Sequence, residues 1–232
     1  VRLIDMTIRM LVEPQFDVDM DLLTTTLADE SARKQAMLIE CADVMGIRTT
    51  DMADEEAAQE CLTVLSSANK FAMFLEALRI DVPTKISPTT GKEIPALAKT
   101  DEEFLSLQGH QNALVATAAA ARLDAKSTIL QTRIQAFMDA ANAHPDKKVP
   151  IPLKYYGADT TGRWSGWGYN PQNLPRVNPY DPKPSDALRS SLVAPAGKKI
   201  VVADLSGIEL RVNHFLWQVP SSMKMYQADP EK

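Results

Sequence analysis

The chain has 232 residues, with 25 Lys+Arg against 30 Asp+Glu and a formal net charge of -5. That length can bury a full core, in one large or two small domains. A hydrophobic content of 45% and a mean hydropathy of -0.19, with no apolar run of about 18 residues, exclude a transmembrane helix and give no signal-peptide pattern. Residues 1–13 alternate apolar and polar around Ile4, Met6, Ile8 and Met10 up to Pro14, which fits a short helix or a strand.

From Asp19 to about Met45 a helical period runs through Leu22, Leu23, Leu27, Met37, Leu38 and Cys41. Asp19 or Asp21 can cap its start, and Gly46 terminates it. A second helix is expected over Ala53–Leu65, opened by Asp51 or Asp54. A third starts at Ser67 and carries Phe71, Phe74, Leu75 and Leu78. Between Val82 and Pro95 the prolines and Gly91 exclude a regular helix. Thr100 with Glu103 three residues later predicts a capping box on a short helix to Leu107. An Ala-rich helix is then expected from Gln111 to Ala143 without interruption, closed by Pro145 and Pro150. The layout is helical first and mixed afterwards, an α+β class, with a boundary expected near 145–150.

Cys41 and Cys61 form no CxxC or zinc spacing, so a reducing cytoplasm is the expected location. His110, His144 and His214 are scattered and make no metal-ligand pattern. Charge is uneven: residues 120–232 carry 15 Lys+Arg and 10 Asp+Glu, so the acidic excess lies in the first half. Affinity for phosphates follows local charge, and the later half is the one suited to them.

Chemistry concentrates at Ile200-Val201-Val202-Ala203-Asp204. The apolar run predicts a buried strand that delivers Asp204 to a sheet edge. A Ser206-Gly207 turn follows, then an amphipathic helix through Glu209 and Arg211. A carboxylate beside the free N–H groups of a helix start suits Mg²⁺ and phosphates. An N-cap aspartate is the alternative reading of Asp204.

Asp204, Ser206, Glu209 and Arg211 reproduce the pattern D-x-S-x-x-E-x-R, and this segment resembles motif A of family A, polymerase-I-like DNA polymerases. Gly207 looks more like the phage branch. Upstream, Thr161-Gly162-Arg163-Trp164-Ser165 and Asn170-Pro171-Gln172-Asn173-Leu174-Pro175-Arg176 resemble the family's T-G-R-x-S…N-x-Q-N-x-P-R signature. Residues from Ser67 to Thr100 resemble a phage-type thumb with its tip loop.

The resemblance implies a palm-side lead-in at 1–18, a helical thumb at 19–148 and the N-terminal palm, with motif A, at 149–232. It implies Mg²⁺-dependent deoxynucleotidyl transfer to a primer 3′-hydroxyl, with two ions in the completed site. Asp204 and the Leu205 carbonyl would ligate metal, and Glu209 would close the space beside the sugar C2′. Ser206, Gly207, Ile208 and Glu209 would line the dNTP pocket. Arg211 would orient the palm through a salt bridge. Arg163, Gln172 and Asn173 would meet the minor groove of primer-template DNA, where acceptors are common to every base pair. Arg176 would take a backbone phosphate, as would Lys126, Ser127 and Thr128, and Lys85, Thr89 and Lys92 at the thumb tip.

Arg122-x-x-x-Lys126 has the first spacing of the finger motif, but Leu130 replaces its aromatic and no glycine follows. It is expected to be thumb helix. No finger motif and no motif C His-Asp-Glu occur, and no exonuclease segment is expected. The chain opens on Val1 and reads as a processed or excised piece. It is therefore expected to be inactive alone and completed by a second polypeptide carrying fingers and C-terminal palm. The alternative is a non-catalytic DNA-binding or assembly subunit. No membrane partner is expected.

Overall fold

The computed structural model describes residues 2–177, 180, 182–204 and 207–228. Two compact units are present, Val1–Val193 and Ala194–Lys232; taken over its described residues the chain is α+β in class, with its strands in the first unit. Helices dominate, and the strands are short.

In the first unit the N-terminal segment is helical, α1 (Arg2–Val12), and buries none of its residues. Strand β1 (Phe16–Val18) follows, and then the long α2 (Met20–Val44). Asp19 caps α2 by accepting from the Leu22 N–H at 2.9 Å, and Gly46 ends it at φ 68, where a side chain would strain the backbone. Helix α3 (Asp54–Ser66) starts at Ala53 with no side-chain cap, unlike the aspartate cap expected. Asp54 instead pairs with Arg48. Helix α4 (Ala68–Ala77) is capped by Ser67, which accepts from the Lys70 N–H at 3.2 Å.

The proline-rich stretch forms a hairpin, β2 (Thr84–Ile86) against β3 (Glu93–Pro95). Helix α5 (Glu102–Ser106) starts at Asp101, so the capping box expected from Thr100 does not form. The Asp101 carboxylate accepts from the Ala98 N–H and from Lys85 Nζ instead. The single helix expected over 111–143 is two, α6 (Ala113–Lys126) and α7 (Ile129–Asn142). No proline or glycine breaks them. Arg33 of α2 forks onto Asp124 at 2.8 and 2.9 Å, and Lys34 donates to the Ser127 carbonyl and to Gln131 Oε1. The Lys34 bond takes the Ser127 carbonyl, a backbone acceptor that would otherwise carry the helix onward, while the Arg33 fork fixes Asp124 of the last turn from its side chain, so α6 stops there.

Strands β4 (Lys148–Val149), β5 (Leu153–Lys154) and β6 (Ser165–Gly166) come next, then α8 (Ala187–Ser190) and β7 (Leu192–Val193). A three-stranded antiparallel sheet has the order β4-β1-β7, and β5 pairs with β6. Two apolar cores result. One joins Leu38, Cys41, Cys61, Leu65, Phe71, Leu75, Phe104 and Val115, from α2 to α6. The other joins Leu23, Ile134, Phe137, Val149, Tyr169, Leu174 and Leu188 around the sheet.

The second unit holds α9 (Ile208–Leu216) and α10 (Pro220–Ala228). The buried strand expected at residues 200–203 is not formed. That segment has no regular structure, and Val201 and Val202 are 86% and 87% exposed. A strand needs a neighbour to take its backbone hydrogen bonds, and among the described residues this unit has none.

Candidate functional site

Three groups of predicted site residues fall on different elements. The first is the β5–β6 hairpin. Tyr156 is left-handed at φ 53, and its ring lies where a Cβ on Gly162 would sit, 2.7 Å from Cε2. At φ 65 a side chain at position 162 would strain the backbone, and its Cβ would also displace the Tyr156 ring. Its N–H donates to Ala158 O at 2.8 Å, and the Ala158 N–H donates to Arg163 O at 3.1 Å. These bonds close a tight turn with the Arg163 side chain on the exposed surface. Tyr155 and Trp164 pack edge to face at 5.4 Å across the base of the turn.

Gln172 and Asn173 occupy the 3₁₀ turn after Asn170, which is left-handed at φ 49. The Gln172 amide is committed to the hairpin: Oε1 accepts from the Gly166 N–H at 2.8 Å, and Nε2 donates to Trp164 O at 3.3 Å. Gln172 thus braces the hairpin next to Arg163. Asn173 is held through its backbone, its carbonyl accepting from Arg133 Nη1 at 3.1 Å. Arg189 does the same for Leu174 O and Pro175 O at 2.9 and 2.8 Å. Arg176 follows in the exposed chain. Sequence reading missed Arg133 and Arg189. Their only signal was a basic residue on a helix, which says nothing about a carbonyl partner 40 or 14 positions away.

The second group is the joint between α6 and α7. Lys126, Ser127 and Thr128 are all exposed there, brought forward by the break that Arg33 and Lys34 hold. Burial and the charge of Arg122 push the Lys126 ammonium below the usual lysine range. The third group lies on the β2–β3 hairpin. Thr89 and Lys92 are exposed near its tip. Lys85 is bound to both Asp101 oxygens at 2.7 Å, which holds the Asp101 carboxyl below its ordinary range. Lys85 therefore staples the hairpin to α5.

Within the second unit, Asp204 is exposed just before α9, which begins after Gly207 at φ 59. Leu205 and Ser206 lie outside the described residues. Ile208 and Glu209 form the first turn, and both line an apolar groove of about 370 Å³ along α9 with Val212, Asn213 and Leu216. Arg211 lies over the Tyr226 ring at 4.7 Å, and His214 Nδ1 meets the Tyr226 hydroxyl at 3.1 Å. These contacts fasten α9 to α10.

Among the described residues no group of three His, Cys, Asp or Glu could hold a metal ion. Asp204 suits a hard cation as one ligand, but these residues do not by themselves build a Mg²⁺ site. No helix of the described residues is long and apolar enough to cross a membrane.

No family model and no curated protein sequence matches the chain. Among solved structures, the POL domain of Pol1 from M. smegmatis, in complex with DNA primer-template and dNTP, is similar in fold. The TM-score is 0.54 at 19% sequence identity, over 86% of this chain and 30% of that one. The chain thus spans under a third of that structure's length and shares its fold over most of its own.

Proposed function

We propose that these residues form the thumb and N-terminal palm of a phage-type family A DNA polymerase, a template-directed enzyme acting on primer-template DNA and dNTP. The observation that carries this reading is the D-x-S-x-x-E-x-R pattern at the head of α9, in a chain whose fold is similar over 86% of its length to a POL domain. The palm-side lead-in is residues 1–18, the thumb 19–148 and the palm 149–232. Pairing of β1 with both β4 and β7 supports grouping the lead-in with the palm.

In this reading Asp204 is the catalytic carboxylate, with Glu209 beside the incoming sugar and the backbone of 205–208 at the dNTP. Mg²⁺ is the expected cofactor, with the remaining ligands coming from a second polypeptide or segment that also supplies the fingers. Arg163, Asn173, Arg176, Lys126, Ser127, Thr128, Thr89 and Lys92 are the DNA-facing set. Gln172 and Lys85 serve that surface chiefly by holding its hairpins in shape. Contacts made mostly to phosphates give affinity that falls steeply with salt.

Primer extension tests this. The 232-residue polypeptide alone should not extend a primer with dNTP and Mg²⁺. In the enzyme completed by its partner, Asp204→Ala should cut extension at least about a hundredfold, because metal charge stabilisation is worth several kcal/mol. Unchanged synthesis by that variant would instead assign the chain to DNA binding or assembly.

A further inference from the structure

Directly after β5 come Tyr155 and Tyr156, 53% and 61% exposed. Both are held in place at the surface. Tyr156 keeps its left-handed φ of 53, which a bulky residue adopts only where its surroundings over-determine it. Here the Cε2 side of the ring fills the space over Gly162. Tyr155 is fixed by its edge-to-face contact with Trp164. The two tyrosine rings are 6.4 Å apart and tilted by 54°, so they do not stack on each other. Trp167 follows β6 and is exposed as well, and its backbone N–H donates to Pro152 O at 3.0 Å.

Exposed aromatic rings suit a protein surface as well as a nucleobase, and charge decides between the two. From Lys147 to Arg176 the sequence has five basic residues and one acid, Asp159. The fold brings in two more guanidiniums, Arg133 and Arg189, which donate to the carbonyls of Asn173, Leu174 and Pro175. Bonds to neutral carbonyls leave that positive charge in place. Lys154 is exposed on β5 itself, next to Tyr155. Aromatic rings beside a positive surface hold single strands without reading their sequence, because every base has a π face. In a duplex those faces are covered by the neighbouring pairs. We infer that Tyr155 and Tyr156 form a stacking platform for unpaired nucleobases of a single-stranded nucleic acid, with Lys154 on its phosphates. This platform rests on the nucleic-acid reading above for the kind of polymer, and adds unpaired bases to a surface otherwise assigned to duplex.

Fluorescence anisotropy of a labelled oligothymidylate, titrated with the full 232-residue chain at several salt concentrations, tests the platform. Tyr155→Leu keeps the bulk and removes the aromatic face. It should weaken binding by about fivefold to a hundredfold, the range that one base–ring stack supplies. Stacking releases no counterions, so the dependence of log Kd on log salt should keep its slope in this variant. Lys154→Gln should instead reduce that slope by about 0.7, the share of one single-strand phosphate. Tyr156→Gly relieves the left-handed backbone and should also weaken binding, and it decides the matter if Tyr155→Leu does not fold. An abasic oligomer of the same length should bind more weakly and be indifferent to both tyrosine variants. No binding of the oligothymidylate, equal binding of the abasic oligomer, or unchanged affinity in the tyrosine variants overturns the platform. Blunt duplex serves as the control, and its binding should survive both substitutions. Its loss along with single-strand binding would assign the rings to the shape of the hairpin and overturn the platform too. The polymerase reading is judged separately, by primer extension in the completed enzyme.

Discussion

The helical body around Phe71 and the segment from Ile200 to Trp217 are both rich in apolar residues, and they dispose of them in opposite ways. Phe71, Leu75 and Phe104 are sealed between α2, α3, α4 and α6. Val201, Val202 and Trp217 are 86%, 87% and 79% exposed. Hydrophobicity is therefore not what separates the two regions. The body has enough elements to cover each apolar face, and Ala194–Lys232 has two short helices.

Truncation in the body should have the largest effect. Phe71→Ala removes a ring that packs on Phe74 at 5.9 Å, on Phe104 at 6.1 Å and against the Arg122 guanidinium. It should cost about 3–5 kcal/mol in urea unfolding. A cost under about 1 kcal/mol would mean that this core is loosely packed and the contrast is false.

A smaller effect concerns the ion cluster that links α2 to α6. Hydrogen bonds from Arg33 hold the carboxyls of Glu30 and Asp124 below their ordinary range. Depressed folded-state values give stabilisation that is complete above about pH 4 and is lost as pH falls through them. Arg33→Met should therefore lower the melting temperature at neutral pH and flatten its decline in acid. An unchanged decline would assign the acid sensitivity to other carboxylates.

The smallest effect is expected where exposure is greatest. Val202→Ala should change stability by less than about 0.5 kcal/mol, while weakening any complex that covers residues 200–217. A stability loss as large as that of Phe71→Ala would show this segment to be buried in solution.

Much of the helical body was legible because its signals are local. Asp19 and Ser67 cap the helices that follow them, and Gly46 closes α2 in the left-handed conformation that glycine permits. The break after Lys126 was not legible. Ala-rich sequence on one side and Ile129 on the other favour a continuous helix, and the decision comes from Arg33 and Lys34, more than 90 positions away. The same distance problem hid the partner of Lys85. In the candidate site the turns at Gly162 and Gly207 and the exposed Arg163 followed from turn chemistry, while the left-handed conformation of both glycines came with the structure. That Gln172 folds back onto Trp164 and Gly166 depends on tertiary placement that no spacing encodes. At residues 200–203 a β-branched run was read as a strand, but β-propensity mostly measures what lies alongside.

Helix α2 has its own consequence. It contributes Leu23 to the core around the sheet and Leu38 and Cys41 to the core of the helical body. Its 25 residues reach about 37 Å at 1.5 Å per residue. Neither core can be dissolved without fraying a helix the other needs, so heat or denaturant should take both apart in one cooperative step. Loss of sequence-remote contacts at either end of α2 would then be felt as a lower melting point for the whole of Val1–Val193.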